Sequence, residues 1–191
     1  MRLALKVIAS AVVALVVGGG SSCLVIRRAG YGGAVRNGAW STNLAFGSQD
    51  AGIYTRAAVA IGGLFALSRK ETLYYTAFVD DAGDPLRAGC DYLLEGRELD
   101  ARWWSLTVYG DDHFLVSNAQ HRYSYNLANL ARAGDRSYRV HLSRAPKEGN
   151  WLPTGGRGNV SVTLRLYNPR PSVFDRPATT PLPSIRRVAC R

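Results

Sequence analysis

Histidine, cysteine and methionine are scarce in this chain of 191 residues, at three, three and one. No two of His113, His121 and His141 have the i, i+4 spacing that puts two ligands on one helix face, and no His/Cys group has zinc-finger spacing. The sequence therefore calls for no metal and no cofactor. A Gly-x-Ser-x-Gly elbow is also missing, which removes the commonest serine-hydrolase design. Gly155-Gly-Arg-Gly158 offers backbone donors and an arginine that suit an anion, but no lysine or helix follows as in a nucleotide loop. It reads as an ordinary turn.

Acidic residues are absent from positions 1–36, which carry Arg2, Lys6, Arg27, Arg28 and Arg36. Near the other end, Arg170, Arg176, Arg186, Arg187 and Arg191 face Asp175 alone. Residues 37–169 hold 14 basic and 13 acidic side chains, so the net charge of +10 belongs to the two ends. A nucleic-acid groove needs basic residues along the folded surface. The nearly neutral body excludes that class of partner.

What is present begins with a long apolar run. Val7–Ile26 has 20 uncharged residues between Lys6 and Arg27, about enough to cross a hydrocarbon core as a helix. Read with its basic flanks, residues 1–28 are expected to form an uncleaved signal anchor. A cleaved signal ending near Gly20-Ser-Ser22, or a lipoprotein signal modified at Cys23, are the rivals. The anchor predicts a single-pass inner-membrane protein, with residues 7–26 in the bilayer and the body in the periplasm. Basic ends gripping anionic lipid are a further reading. Residues 29–49 contain four glycines in their first ten positions and read as a linker and arm.

Residues 50–169 are expected to form a helix followed by a β-sandwich. Ile53, Ala57, Ile61, Leu64 and Leu67 recur at helical spacing, predicting a core-covering helix over Asp50–Arg69 capped by Ser48 or Asp50. Strands are predicted over Thr72–Val79, Cys90–Leu94, Arg102–Tyr109, Phe114–Ser117, Tyr123–Asn126, Ser137–Leu142 and Asn159–Tyr167. Asp80, Asp81 and Asp84 lack the spacing and closing glutamate of a calcium loop and read as a solvated turn. In the last strand Val160, Val162, Leu164 and Leu166 share one face, which leaves Ser161, Thr163, Arg165 and Tyr167 exposed on the other. Short strands separated by turns argue for a mainly β, jelly-roll-like sandwich. Four prolines in residues 170–191 predict an extended tail with little regular structure.

Glu71-Thr-Leu-Tyr-Tyr-Thr-Ala-Phe-Val-Asp-Asp-Ala-Gly-Asp-Pro-Leu86, Arg102-Trp-Trp-Ser-Leu-Thr-Val-Tyr109, Asn118 with Arg122-Tyr-Ser124, Gly149-Asn-Trp-Leu-Pro153 and Leu164-Arg-Leu-Tyr-Asn-Pro169 together resemble the domain of unknown function 1214 family. That domain is better known as the C-terminal half of proteins that begin with domain of unknown function 1254. This chain resembles a short, membrane-anchored form. The resemblance spans roughly residues 70–170 and implies a jelly-roll sandwich, without bringing catalytic residues. Two departures stand out: Trp103 precedes Trp104 where the family motif opens with Phe-Trp, and the loop after Pro153 is richer in glycine.

The candidate ligand-binding set is Trp104, Arg122, Tyr123, Asn150, Trp151, Arg165 and Tyr167. Aromatics with arginine and amide groups can hold a sugar or an acid on a concave β-face, or can simply lock the sandwich. Catalytic residues are not identifiable. With Cys23 in the apolar segment, Cys90 and Cys190 are expected to pair in an oxidising compartment, tying the tail to the sheet; two free thiols in a cytoplasmic domain are the alternative. The functional expectation is an envelope binding or scaffolding module for a glycan, a carboxylate ligand or a protein. The alternative is an enzyme acting on a carbohydrate or carboxylate in a cleft near Arg122, Asn150 and Arg165.

Overall fold

The computed structural model describes residues 2–29, 34–62 and 66–190. Helix α1 (Arg2–Ala29) runs unbroken through Gly18–Gly20, and its span Arg2–Ile26 is long and apolar enough to cross a membrane, as a signal sequence would also be. Twenty-five residues at the helical rise cover about 37 Å, more than the hydrocarbon core of about 30 Å. No residue of the span is fully buried against the rest of the protein.

The body is two β-sheets with one continuous core between them. The first six-stranded sheet takes β1 (Val35–Asn37), β2 (Trp40–Thr42), β3 (Thr72–Ala77), β5 (Ala101–Gly110), β6 (Ser124–Asn126) and β9 (Val160–Pro169), in the order β1-β2-β3-β9-β5-β6. The second takes β4 (Cys90–Gly96), β7 (Tyr138–Ser143), β8 (Trp151–Pro153) and β10 (Ser184–Cys190), in the order β10-β4-β7-β8. Among the described residues, β7 and β8 alone run parallel. This is the mainly β sandwich expected from the alternation. Leu73, Tyr75, Trp104, Leu106, Val162 and Leu164 from one sheet meet Tyr92, Leu94, Val140, Leu142 and Ile185 from the other, all at 2% exposure or less.

Three local expectations are corrected. The helix predicted over Asp50–Arg69 is only α2 (Ile53–Ile61), closed by Gly62, with residues 63–65, and so Leu64, outside the described residues. Its N-cap is Gly52, with no side-chain cap. Residues 45–51 form successive turns in which Ser48 Oγ accepts from Asp50 N–H, and the Arg56 guanidinium holds the carbonyls of Gln49 and Ala51. Nor does α2 cover the core: Ile53 and Ile61 are 77% and 64% exposed, Ala58 alone is buried, and the helix leans on α1.

Phe114–Ser117 is not a strand. The turn at Gly110–Asp112 forms, with Gly110 N–H donating to Phe114 O, but pairing ends after a single bridge from Tyr109 to Leu115. Strand β5 pairs with β6 and β9 instead.

The tail is not without regular structure either. Pro171–Asp175 forms a helical turn, α3, and β10 pairs with β4 along its length. Trp40 Nε1 donates to Pro183 O at 2.7 Å, and the Tyr75 hydroxyl to Pro177 O at 2.9 Å. The prolines thus cross the molecule as carbonyl acceptors for buried donors, a role a surface ribbon would not have.

The acidic turn is exposed from Asp81 to Pro85, as expected of a solvated turn, and it also holds the C-terminal strand. Ile185 N–H donates to the Asp81 carboxylate at 2.8 Å and Asp81 N–H to Ile185 O at 2.9 Å. Arg187 pairs with both Asp84 and the buried Asp80. The three acids clasp the incoming C-terminal strand. Cys90 and Cys190, opposite each other in the β4–β10 register, close a disulfide across 100 residues.

Candidate functional site

Strand alternation decides what faces outward from the six-stranded sheet. With Val162 and Leu164 in the core, Ser161, Thr163, Arg165 and Tyr167 must point the other way. The register sets Ser41, Thr76, Thr163, Thr107 and Ser124 in one row across five strands. Thr76 and Thr163 share a hydroxyl hydrogen bond at 3.1 Å. One step along, Tyr74, Arg165 and Ser105 form the next row. This face is not open as the alternation alone implied. Tyr74, Thr107, Ser161 and Thr163 are all buried, whereas Arg165 and Tyr167 are half-buried. The segment after β2, with Asn43 and Phe46, forms one wall, while Gly62, Phe78 and His113 border the other side.

The result is a small cleft of about 70 Å³, floored by hydroxyls and holding Arg165, room for one small polar group rather than for a whole ligand of the usual size. Arg165 Nη2 donates to the Tyr109 hydroxyl at 2.6 Å and Nη1 to Thr107 Oγ1 at 3.3 Å, and the guanidinium carbon sits 5.5 Å from the Tyr109 ring centroid. Two hydroxyls and a ring fix the fork in place but carry no charge to answer it. No carboxylate lines the cleft among the described residues, and Arg165 has no ion pair there. Five N–H donors belong to a guanidinium, so about three remain for another acceptor. Thr42, also lining the cleft, keeps a buried hydroxyl with no hydrogen-bond partner among the described residues. Such an arrangement can receive a carboxylate, with hydroxyls to orient it.

The other residues singled out in the sequence lie elsewhere. Trp104 is a core plug at 1% exposure, stacked on Tyr138 at 5.2 Å between ring centroids. Arg122 lies over the rings of Trp151 and Tyr125 at 5.7 and 6.0 Å and donates to Trp151 O at 3.4 Å. Trp151 is buried, with its indole N–H on Ser143 O. Tyr123 reaches only His121, at 3.4 Å. Asn150 spends its whole amide on the backbone: Oδ1 accepts from Ala131 N–H, and Nδ2 donates to the carbonyls of Ala131 and Arg139. Arg122, Asn150 and Arg165 do not share a cleft. Arg165 lines the hydroxyl-floored one, Asn150 lines a shallow depression beside β7, and Arg122 lines neither.

Sequence reading missed Thr76, Thr107, Tyr74 and Tyr109. The period-2 pattern holds them, but only the pairing of β3, β9 and β5 brings them round Arg165. At Gly155–Gly158 an added Cβ on Gly158 would meet the Asp111 carboxylate at 2.8 Å, and a carboxylate against the loop opposes an anion. No cluster of three or more potential metal ligands occurs among the described residues.

Two buried phenols titrate above the usual range. Burial pushes the Tyr138 hydroxyl up, helped by the nearby Glu98 charge, and burial also raises Tyr75. Both belong to the core and lie away from the cleft.

Fold and cleft together define a mainly β sandwich carrying an N-terminal apolar helix and a polar, arginine-bearing cleft on the outer face of its larger sheet. The model of a protein family of unknown function, DUF1214, matches residues 71–171, more than half the chain, and the protein belongs to that family. Strands β1, β2 and β10 fall outside the matched residues yet complete both sheets. Among solved structures, the VPA0106 protein from Vibrio parahaemolyticus is 23% identical with a TM-score of 0.59, covering 73% of this chain and 36% of its own. An uncharacterized protein from Burkholderia cenocepacia is 21% identical with a TM-score of 0.44, covering 62% of this chain and 29% of its own. The chain thus spans about a third of the length of these relatives, and the first likeness speaks to fold alone. No curated protein matches the sequence.

Proposed function

We propose that the protein is an envelope-anchored binding module whose cleft takes a small carboxylate-bearing ligand at Arg165. The observation that carries this reading is the half-buried guanidinium held by Thr107 and Tyr109, with no carboxylate lining its cleft among the described residues. A cation in a partly desolvated site without a counter-charge is costly unless an anion arrives. The apolar helix α1 and the Cys90–Cys190 bond support the envelope address, since disulfides persist outside the reducing cytosol.

Isothermal titration of the full chain in detergent with soluble monocarboxylates, dicarboxylates and sugar acids tests the reading. Arg165→Gln should abolish binding of whichever carboxylate the wild type takes, while Arg165→Lys, which keeps the charge but loses the fork, should retain part of it. If wild type binds no carboxylate, or the Gln variant binds equally well, the reading is wrong.

A further inference from the structure

The Arg165 cleft has an apolar neighbour. Gly62, Phe78 and His113 border it and also border a second, apolar groove. The far side of that groove is helix α1, through Gly19, Ser22, Cys23 and Ile26. These positions fall at i, i+3, i+4 and i+7, one face of the helix. Opposite them stand Ala58 and Ile61 of α2. No Asp, Glu, Lys or Arg lines the groove among its described residues. An arginine-bearing polar cleft therefore shares three bordering residues with a groove of hydrocarbon character, and the groove lies along the C-terminal end of the candidate span Arg2–Ile26, where a spanning helix leaves the bilayer.

This arrangement has two chemically distinct ends. Arg165 and the hydroxyls answer an anion; the groove answers an alkyl chain and offers a polar ligand nothing. An exposed apolar surface rimmed by polar groups marks a binding site, and the charge at one end states what the head of the ligand must be. Resting on the reading of Arg165 as a carboxylate site, we infer that the ligand is a fatty acid drawn from the membrane leaflet, its carboxylate on Arg165 and its chain between α1 and α2.

Cys23 supplies the readout. It is exposed, lines the groove, and is the one free thiol, because Cys90 and Cys190 are bonded to each other. The experiment places the full chain in nanodiscs of zwitterionic lipid and follows the rate of Cys23 alkylation by a maleimide as palmitate, butyrate or hexadecanol is added. Palmitate should slow alkylation in a saturable way, hexadecanol should do so only at far higher concentration, and butyrate should leave the rate unchanged. Arg165→Gln should raise the palmitate concentration needed by about 10- to 100-fold, the effect of losing charge-assisted hydrogen bonds. If that variant does not fold, the comparison of palmitate with hexadecanol on wild type decides alone.

Equal protection by palmitate and hexadecanol would mean simple partitioning into an apolar crevice and overturns the proposal. Loss of palmitate protection altogether, with Arg165-dependent binding of short carboxylates intact in titration, overturns the fatty-acid ligand and leaves the carboxylate site standing. Failure of every carboxylate, long or short, removes both.

Discussion

Tyr138 sits at 3% exposure with its hydroxyl unpaired, stacked on Trp104, whose indole N–H is also unpaired. Burial without a partner raises the phenol's pKa, so the folded state prefers the neutral form. A group raised in the fold contributes its full stability below the unfolded value near 10 and loses it as pH climbs towards the folded value. The protein should therefore weaken above about pH 10, with Tyr75 adding to the slope. Tyr138→Phe should flatten this alkaline loss and, by removing an unsatisfied hydroxyl, be neutral or stabilising by about 1 kcal/mol at pH 7. Urea unfolding of both proteins at pH 7 and pH 11 measures it; a clear loss at neutral pH would mean the hydroxyl has a partner in solution. Beneath the same ring lies Gly96, where a Cβ would meet Tyr138 at 2.6 Å. Because the stack on Trp104 limits how far that ring can retreat, Gly96→Ala should cost about 1–3 kcal/mol in the same assay. Trp104 also marks a limit of sequence reading. Alternation puts Trp103 and Trp104 on opposite faces, but which face is inside depends on a second sheet whose strands lie far away in sequence.

Elements whose sequences alternate, β5, β7 and β9, were legible because each carries its own apolar face within six to ten residues, and β3 was legible from its β-branched and aromatic content. The three-residue strands β1, β2 and β8 are too short to show a period. Strand β10 hides its role for another reason: only Ile185 of its seven residues is fully buried, and the rest of its hold comes from partners about 100 residues upstream. The clasp and the disulfide should be separable. Replacing Cys90 and Cys190 by serine should lower stability by up to about 4–5 kcal/mol on the chain-entropy account. The strand should nevertheless stay docked, because Asp81, Asp84 and the β4 ladder remain. Hydrogen exchange at Ile185 tests this: protection retained in the serine variant but lost on adding Asp81→Ala is the expected pattern. Complete loss in the serine variant alone would make the acidic turn incidental.

At the scale of the whole molecule, the sandwich and the helix α1 are nearly independent, since no residue of the Arg2–Ile26 span is fully buried and the helix meets the body mainly at α2. Removing residues 1–33 should leave the two sheets folded with their stability changed by less than about 1 kcal/mol, while amides of α2 lose protection, since α2 leans on α1 and little else. The same independence makes the address of the body a separate question, one the cysteines can answer. With Cys90 and Cys190 joined, intact cells treated with an alkylating agent should show both blocked until a reductant is added, while Cys23 reports on the membrane end. That pattern places the body in an oxidising compartment, as the proposed envelope role requires, and makes envelope carboxylates the ligands to screen. Immediate reaction of both thiols in a folded protein would mean that the bridge does not form in the cell. The body would then face the cytoplasm, the groove beside α1 would open to the inner leaflet, and the search for what Arg165 holds would move to that side.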